Sequence, residues 1–247
     1  MGAIDFSTGN RAPYGGATLH SLNETNWYET ILRNTATVTE QYSITKVSQF
    51  YGFGAENHSA SNNLMVPKKT IDFDKSFPIN LDGNSPDSAG VDELVQNYRS
   101  VASNIKFSEK SYLAPILKTI KDSINKRGQI YNIILILLAG PIQDIDDAKE
   151  LIVELSHYPC QIVVVGVADT KYEQFEDLNE RGFKDYNNNK CCRQMTSFIP
   201  LKSTMDGKDI TTKILQDLPR QLCEHLERIS FKPSGNNMMS SMVESFI

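Results

Sequence analysis

The sequence predicts an α/β protein, with a doubly wound, mostly parallel central sheet and helices on both faces. Three observations carry that prediction. Residues 133–138 are six consecutive apolar positions, closed by Gly140-Pro141; a short apolar run ended by turn residues reads as a strand buried on both faces. Residues 162–167 repeat the pattern and close at Gly166 and Asp169. Around these runs, apolar residues recur at helical spacing, and strands alternating with helices build a parallel sheet. In open sheets of this kind ligands sit beyond the carboxyl ends of the strands. The turn Leu138-Ala139-Gly140 is therefore where chemistry is expected, yet Ala139 carries no ionisable group.

The other elements follow in order. Residues 3–6 form a short first strand running into the polar loop Asp5-Phe6-Ser7-Thr8-Gly9-Asn10, and residues 11–24 are loop. Trp27, Tyr28, Ile31 and Leu32 mark a helix over 26–41, and a second strand spans 46–53, closed by Gly52-Phe53-Gly54. Residues 56–63 read as an exposed loop and 70–81 as one or two short strands. Val91, Leu94, Val95, Tyr98, Val101 and Ala102 form a helical stripe starting near Gly90. Leu113, Ile116, Leu117, Ile120 and Ile124 form another, ended by Gly128. After the central strand, acidic residues 144–147 open a helix, where negative charge favours the positive end of the helix dipole. Residues 185–189 are a polar loop and 195–200 an edge strand. The last helix covers 210–226, kinked or restarted near Pro219. With no internal repeat and no linker, the chain reads as one domain over 1–230 and a C-terminal tail over 231–247 that ends in apolar residues.

Composition narrows the function classes. The 247 residues are 40% hydrophobic and 22% charged, an ordinary globular balance, and a core of this size needs no disulfides. The net charge of -5 gives no general attraction to nucleic acid or acidic lipid. Cys160, Cys191, Cys192 and Cys223 lack metal-ligand spacing, so free thiols in a reducing, cytoplasmic setting are expected. No apolar stretch reaches the roughly 20 residues that span a bilayer, so no direct membrane insertion is expected, and no signal-peptide pattern is seen. The chain has no phosphate loop and no Gly-x-Ser-x-Gly elbow. Gly52-Phe53-Gly54 lacks the third glycine of a dinucleotide fingerprint. His20, His58, His157 and His225 stand far apart and read as surface or packing residues. No nucleophile stands with a base, so no enzyme is expected. The loop around Asp5 could offer oxygen ligands to a hard cation, but that pattern is weak, and on spacing alone the loop reads first as a polar turn.

The order of segments resembles the von Willebrand factor A-type domain of the copine family. The resemblance rests on Ala3-Ile4-Asp5-Phe6, Leu19-His20, Phe50-Tyr51-Gly52-Phe53-Gly54-Ala55, Phe77-Pro78-Ile79-Asn80, the helix from Gly90-Val91 to Tyr98, Ala114-Pro115-Ile116, the strand at 162–167, Phe198-Ile199-Pro200 and Leu218-Pro219-Arg220-Gln221. It implies a metal-ion-dependent adhesion site: an Asp-x-Ser/Thr-x-Ser loop after the first strand, a Thr in a middle loop and an Asp after the central strand. Asp5 and Ser7 match the first loop, Gly9 stands at its second hydroxyl, Ser111 falls at the Thr, and Ala139 replaces the Asp. A hard divalent ion needs several oxygen ligands and charge compensation. The resemblance thus implies a degenerate metal site of low occupancy at Asp5, Ser7 and Ser111, with no cofactor. The expected function is non-enzymatic interaction with a protein partner, as a scaffold or structural subunit of a larger assembly. In the alternative, Asp5, Ser7 and Ser111 hold Mg²⁺ with extra waters and capture an acidic group of a partner. Calcium-loop Asp clusters and RING Cys/His spacing are missing, so calcium-driven membrane recruitment and ubiquitin ligation are not expected.

Overall fold

The computed structural model describes residues 1–11, 17–43, 45–56, 76–81, 84–128, 130–202 and 204–231. The expectations for the loop at 57–63, for strand at 70–75 and for the tail beyond 231 lie outside these residues. The chain runs β1 (Gly2–Asp5), α1 (Trp27–Glu40), β2 (Val47–Phe53), β3 (Ala55–Glu56), β4 (Phe77–Pro78), β5 (Asp87–Ala89) and α2 (Gly90–Asn104). It continues through β6 (Lys106–Phe107), α3 (Ala114–Arg127), β7 (Asn132–Leu138), α4 (Ile145–Leu155), β8 (Cys160–Gly166), β9 (Thr196–Pro200), α5 (Gly207–Leu215) and α6 (Leu218–Arg228). The main sheet has the order β4-β2-β1-β7-β8-β9, with β5 also on β2. β1, β2, β7, β8 and β9 are parallel; β4 and β5 are antiparallel to β2. This is the mostly parallel α/β architecture expected.

β7 lies between β1 and β8, and alternation along it feeds both layers of core. Ile134, Ile136 and Leu138 point toward α3 and α4, and Leu135 and Leu137 toward α1, α2 and α5. All five are buried, which explains why this strand reads as a continuous apolar run. Helix ends follow their sequence signals. Asn26 caps α1 by accepting from the Glu29 amide at 2.9 Å. Gly128 ends α3 at φ +71°, a conformation that favours glycine. The last predicted helix is two: α5 begins at an Asp206–Asp209 capping box, and Pro219 stands in the first turn of the separate α6.

Three features had no clear signal. β3 and β6 form a two-stranded antiparallel sheet of their own. Residues 173–179 form a 3₁₀ segment beside β9. From that segment, the Asn179 side chain both donates to the Phe198 carbonyl (3.2 Å) and accepts from the Phe198 amide (2.8 Å). It occupies the outer edge of β9 as a neighbouring strand would.

Candidate functional site

β1 ends at the centre of the sheet, and its last residue, Asp5, is wholly buried. The turn after it delivers Ser7 into the same space. Asp5 Oδ1 accepts from the Ser7 amide at 2.8 Å and from the Ser111 hydroxyl at 3.3 Å; Oδ2 accepts from the Ala139 amide at 3.0 Å. The Ser7 hydroxyl also interacts with this carboxylate. One side chain thus ties together the carboxyl ends of β1 and β7 and the segment that leads into α3. Burial pushes the Asp5 carboxyl above its ordinary pKa, and the hydrogen bonds oppose this only in part.

The residues singled out in the sequence do converge. Asp5, Ser7 and Ser111 meet, and Gly9 and Ala139 lie against each other beside them. A Cβ at Gly9 would stand 2.7 Å from the Ala139 carbonyl oxygen and 3.4 Å from its Cβ. The backbone of the first loop therefore rests directly on the turn after β7. Gly54, at φ +70°, closes the other side: a Cβ there would meet Asp5 Oδ1 at 2.8 Å and the Ser7 amide at 2.9 Å. The glycine of the Gly52-Phe53-Gly54 stretch thus serves the approach of two loops.

Asp144 is committed elsewhere. Its two carboxylate oxygens accept from the amides of Leu113 (2.9 Å) and Ala114 (2.8 Å), capping α3 from the start of α4. Thr8 uses its amide to bond the Ser108 carbonyl and opens a short 3₁₀ turn. Among the described residues, no group of three or more His, Cys, Asp or Glu is placed to hold a metal.

Sequence reasoning missed the layer beneath Asp5. His20 is buried, as the packing reading holds, but it is also a strut: one ring nitrogen contacts the Asp5 carbonyl at 3.0 Å and the other the Tyr98 hydroxyl at 2.9 Å. Asn10 donates to the carbonyls of Asp5 (2.8 Å) and Ser7 (3.1 Å) and accepts from Tyr28 at 2.6 Å. Burial depresses the His20 pKa to about 4, so the ring is neutral at pH 7. Isolated polar residues in loops carry no periodicity, so spacing gave no clue to this network.

Helices on both faces of a mostly parallel sheet, with a polar loop after the first strand meeting the turn after the central one, define a von Willebrand A-type domain. The fold resembles the crystal structure of manganese-loaded TRAP protein from Plasmodium vivax, with a TM-score of 0.50 and 11% identity over 87% of this chain and 70% of that one. The copine family model matches residues 18–234, and the chain belongs to the copine family. Nicotinic receptor-associated protein 1 of Caenorhabditis elegans is 22% identical over 250 residues, covering 94% of this chain and 38% of that protein. The protein of the same name from Caenorhabditis briggsae is 22% identical over 249 residues, with the same coverage. The chain therefore spans 38% of the length of these relatives.

Proposed function

We propose that this copine-family domain is a non-enzymatic protein-interaction module that works without a bridging cation, as a scaffold or structural subunit of a larger assembly in the cytoplasm. The observation that carries this reading is the state of Asp5. Its carboxylate is already filled by donors of its own chain, and the Gly9 backbone packs on Ala139 where further ligands would be required. One carboxylate and two hydroxyls supply only part of the about six oxygens of a hard divalent cation and little of its charge compensation, leaving water to fill the rest. The domain extends over 1–230, with 231–247 as a tail. The relatives' name, nicotinic receptor-associated protein, supports a protein as the partner. The net charge of -5 argues against nucleic acid. No described helix is long and apolar enough to cross a membrane, which supports contact with a partner rather than insertion.

One observation favours the alternative, a Mg²⁺ held by Asp5, Ser7 and Ser111 that captures an acidic partner group. Asp5 is a buried carboxylate with no cationic side chain bonded to it among the described residues, and such a charge is costly to bury. Isothermal titration with Mg²⁺, Mn²⁺ and Ca²⁺, run beside thermal melts, separates the two readings. The metal-free reading expects no binding and no change in melting. Binding in the micromolar to low-millimolar range that disappears in Asp5→Ala would replace it with metal-bridged capture.

A further inference from the structure

A cleft of about 760 Å³ opens beside the Asp5 site, at the same carboxyl end of the sheet, where sheets of this kind bind ligands. Val167, directly after β8, lines its inner side, and the Val167 amide donates to the Leu138 carbonyl at 2.7 Å. Leu19 lines it as well, and the Leu19 amide donates to the Asn10 carbonyl at 2.9 Å. The cleft is thereby tied to the layer beneath Asp5.

The starts of two helices form its walls. Trp27 opens α1 and Gly207 opens α5. A Cβ at Gly207 would stand 2.9 Å from Thr30 Cγ2, so the two helices meet closely, and both residues line the cleft. Leu19 and Trp27 are half-buried against the apolar core, and Val167 is buried. Glu24 and Asp206, by contrast, are exposed. The cleft is therefore apolar inside and acidic at its mouth.

Charge selects the occupant. The described lining residues include two carboxylates and no Lys, Arg or His. Neither Glu24 nor Asp206 forms an ion pair among the described residues, although the charge of Lys208 reaches Asp206. The helix starts do not turn the cleft toward anions, because their own caps already engage them. Asn26 accepts from the Glu29 amide, and Asp206 Oδ1 accepts from the amides of Lys208 and Asp209, both at 2.8 Å. The amides of Asp209 and Lys208 also hold the Asp206 carboxyl below its ordinary pKa, so it is charged at pH 7. Oδ2 of Asp206 accepts no bond among the described residues and is available to a ligand.

An apolar interior with an acidic mouth suits a side chain that has an apolar stem and a cationic tip. Arginine fits better than lysine, because its guanidinium is weakly hydrated, stacks on indole and meets carboxylates with a planar fork. Resting on the reading of this domain as a protein-interaction module, we propose that the cleft seats an arginine side chain of the partner protein. The stem lies on Leu19, Val167 and Trp27, and the guanidinium pairs with Glu24 and Asp206.

Trp27 is the single tryptophan of the chain, so its emission and its indole N–H signal in proton–nitrogen NMR report on this cleft alone. The full chain is titrated, in the presence of EDTA, with a capped Gly-Arg-Gly peptide and with peptides carrying norleucine, glutamate or lysine in place of the arginine. The expected result is a saturable change with the arginine peptide, at a dissociation constant of about 1 mM, weakened by added salt. The norleucine and lysine peptides bind more weakly and the glutamate peptide gives no change. Glu24→Gln weakens the arginine peptide about threefold, and Glu24→Gln with Asp206→Asn about tenfold, as expected for exposed ion pairs; Asn keeps the cap on α5. No saturable change would overturn the proposal. So would an equal response to norleucine or glutamate, or unchanged affinity in both variants, and a lysine peptide bound as tightly would overturn the assignment to arginine. The EDTA separates this test from the metal titration. A chain that binds Mg²⁺ in the calorimeter yet takes the arginine peptide keeps the cleft and loses the metal-free reading, and the converse pair of results does the opposite.

Discussion

Gly9→Ala probes the contact that shapes the Asp5 site. The added Cβ would sit 2.7 Å from the Ala139 carbonyl oxygen and 3.1 Å from its carbon. Ordinary contact begins near 3.4 Å, so one backbone must retreat by about 0.7 Å. Neither is free to do so. Ala139 is fixed by its own amide bond to Asp5 Oδ2 at 3.0 Å, and the Gly9 turn is anchored by Thr8 on Ser108 and by Asn10 on Asp5. Overpacking of this kind costs about 1–3 kcal/mol, and a buried hydrogen bond stretched to relieve it about 1 more. The sum, about 2–4 kcal/mol, corresponds to roughly 4–16 °C in melting temperature for a domain of this size. Urea unfolding monitored by circular dichroism measures it directly. Gly140→Ala is the control, because a Cβ there meets nothing within 4 Å. A Gly9→Ala variant within about 0.5 kcal/mol of the native protein would refute the picture of two loops in contact and reopen space for a ligand.

Other outcomes follow from the same geometry. His20 has a folded pKa of about 4 against an unfolded value of 6.5, so its burial stabilises fully above pH 6.5 and less as the pH falls toward 4; the loss is about 3 kcal/mol. Asp5, raised by burial, acts in the opposite sense, its contribution falling as pH rises above 3.8. The difference between native and His20→Gln melts across pH 4–6.5 isolates the histidine, and parallel curves would refute its role. Asp144→Ala frees the amides of Leu113 and Ala114 at the start of α3; a loss of about 1–2 kcal/mol in urea unfolding is expected, and a change near zero would show the cap to be idle. Asn179→Ala uncovers the outer edge of β9; light scattering should show self-association, and an unchanged monomer would mean that Asn179 is not what guards that edge.

The fold was legible because periodicity was strong where it mattered. The apolar run at β7 and the stripes Leu94–Val101 and Ile116–Ile124 announce elements buried on both faces or on one, and the structure shows the same residues at the core. Asn26, Gly128 and Pro219 mark boundaries through local chemistry that needs no tertiary partner. The restart at Pro219 was readable; the Asp206–Asp209 capping box that opens α5 was not, because it lies in a polar stretch without a stripe. The two-stranded β3–β6 sheet is too short to carry any period.

By itself the sequence determined which residue types stand in the loop after β1 and at the turn after β7: Asp5 and Ser7 present, Gly9 and Ala139 in place of further oxygen ligands. Only the tertiary structure decided what those residues touch. It closes Gly9 onto Ala139, fills Asp5 with two amides and a hydroxyl from three segments and sends Asp144 to cap α3. It also buries Arg193 over the Tyr131 ring, with one guanidinium nitrogen on the carbonyls of Tyr158 and Cys160. The physical reason is the range of the interactions. Helix and strand patterns arise between residues a few positions apart, whereas these polar contacts join residues more than thirty, and in the Asp5 case more than a hundred, positions apart, and their partners are fixed only when the sheet has formed.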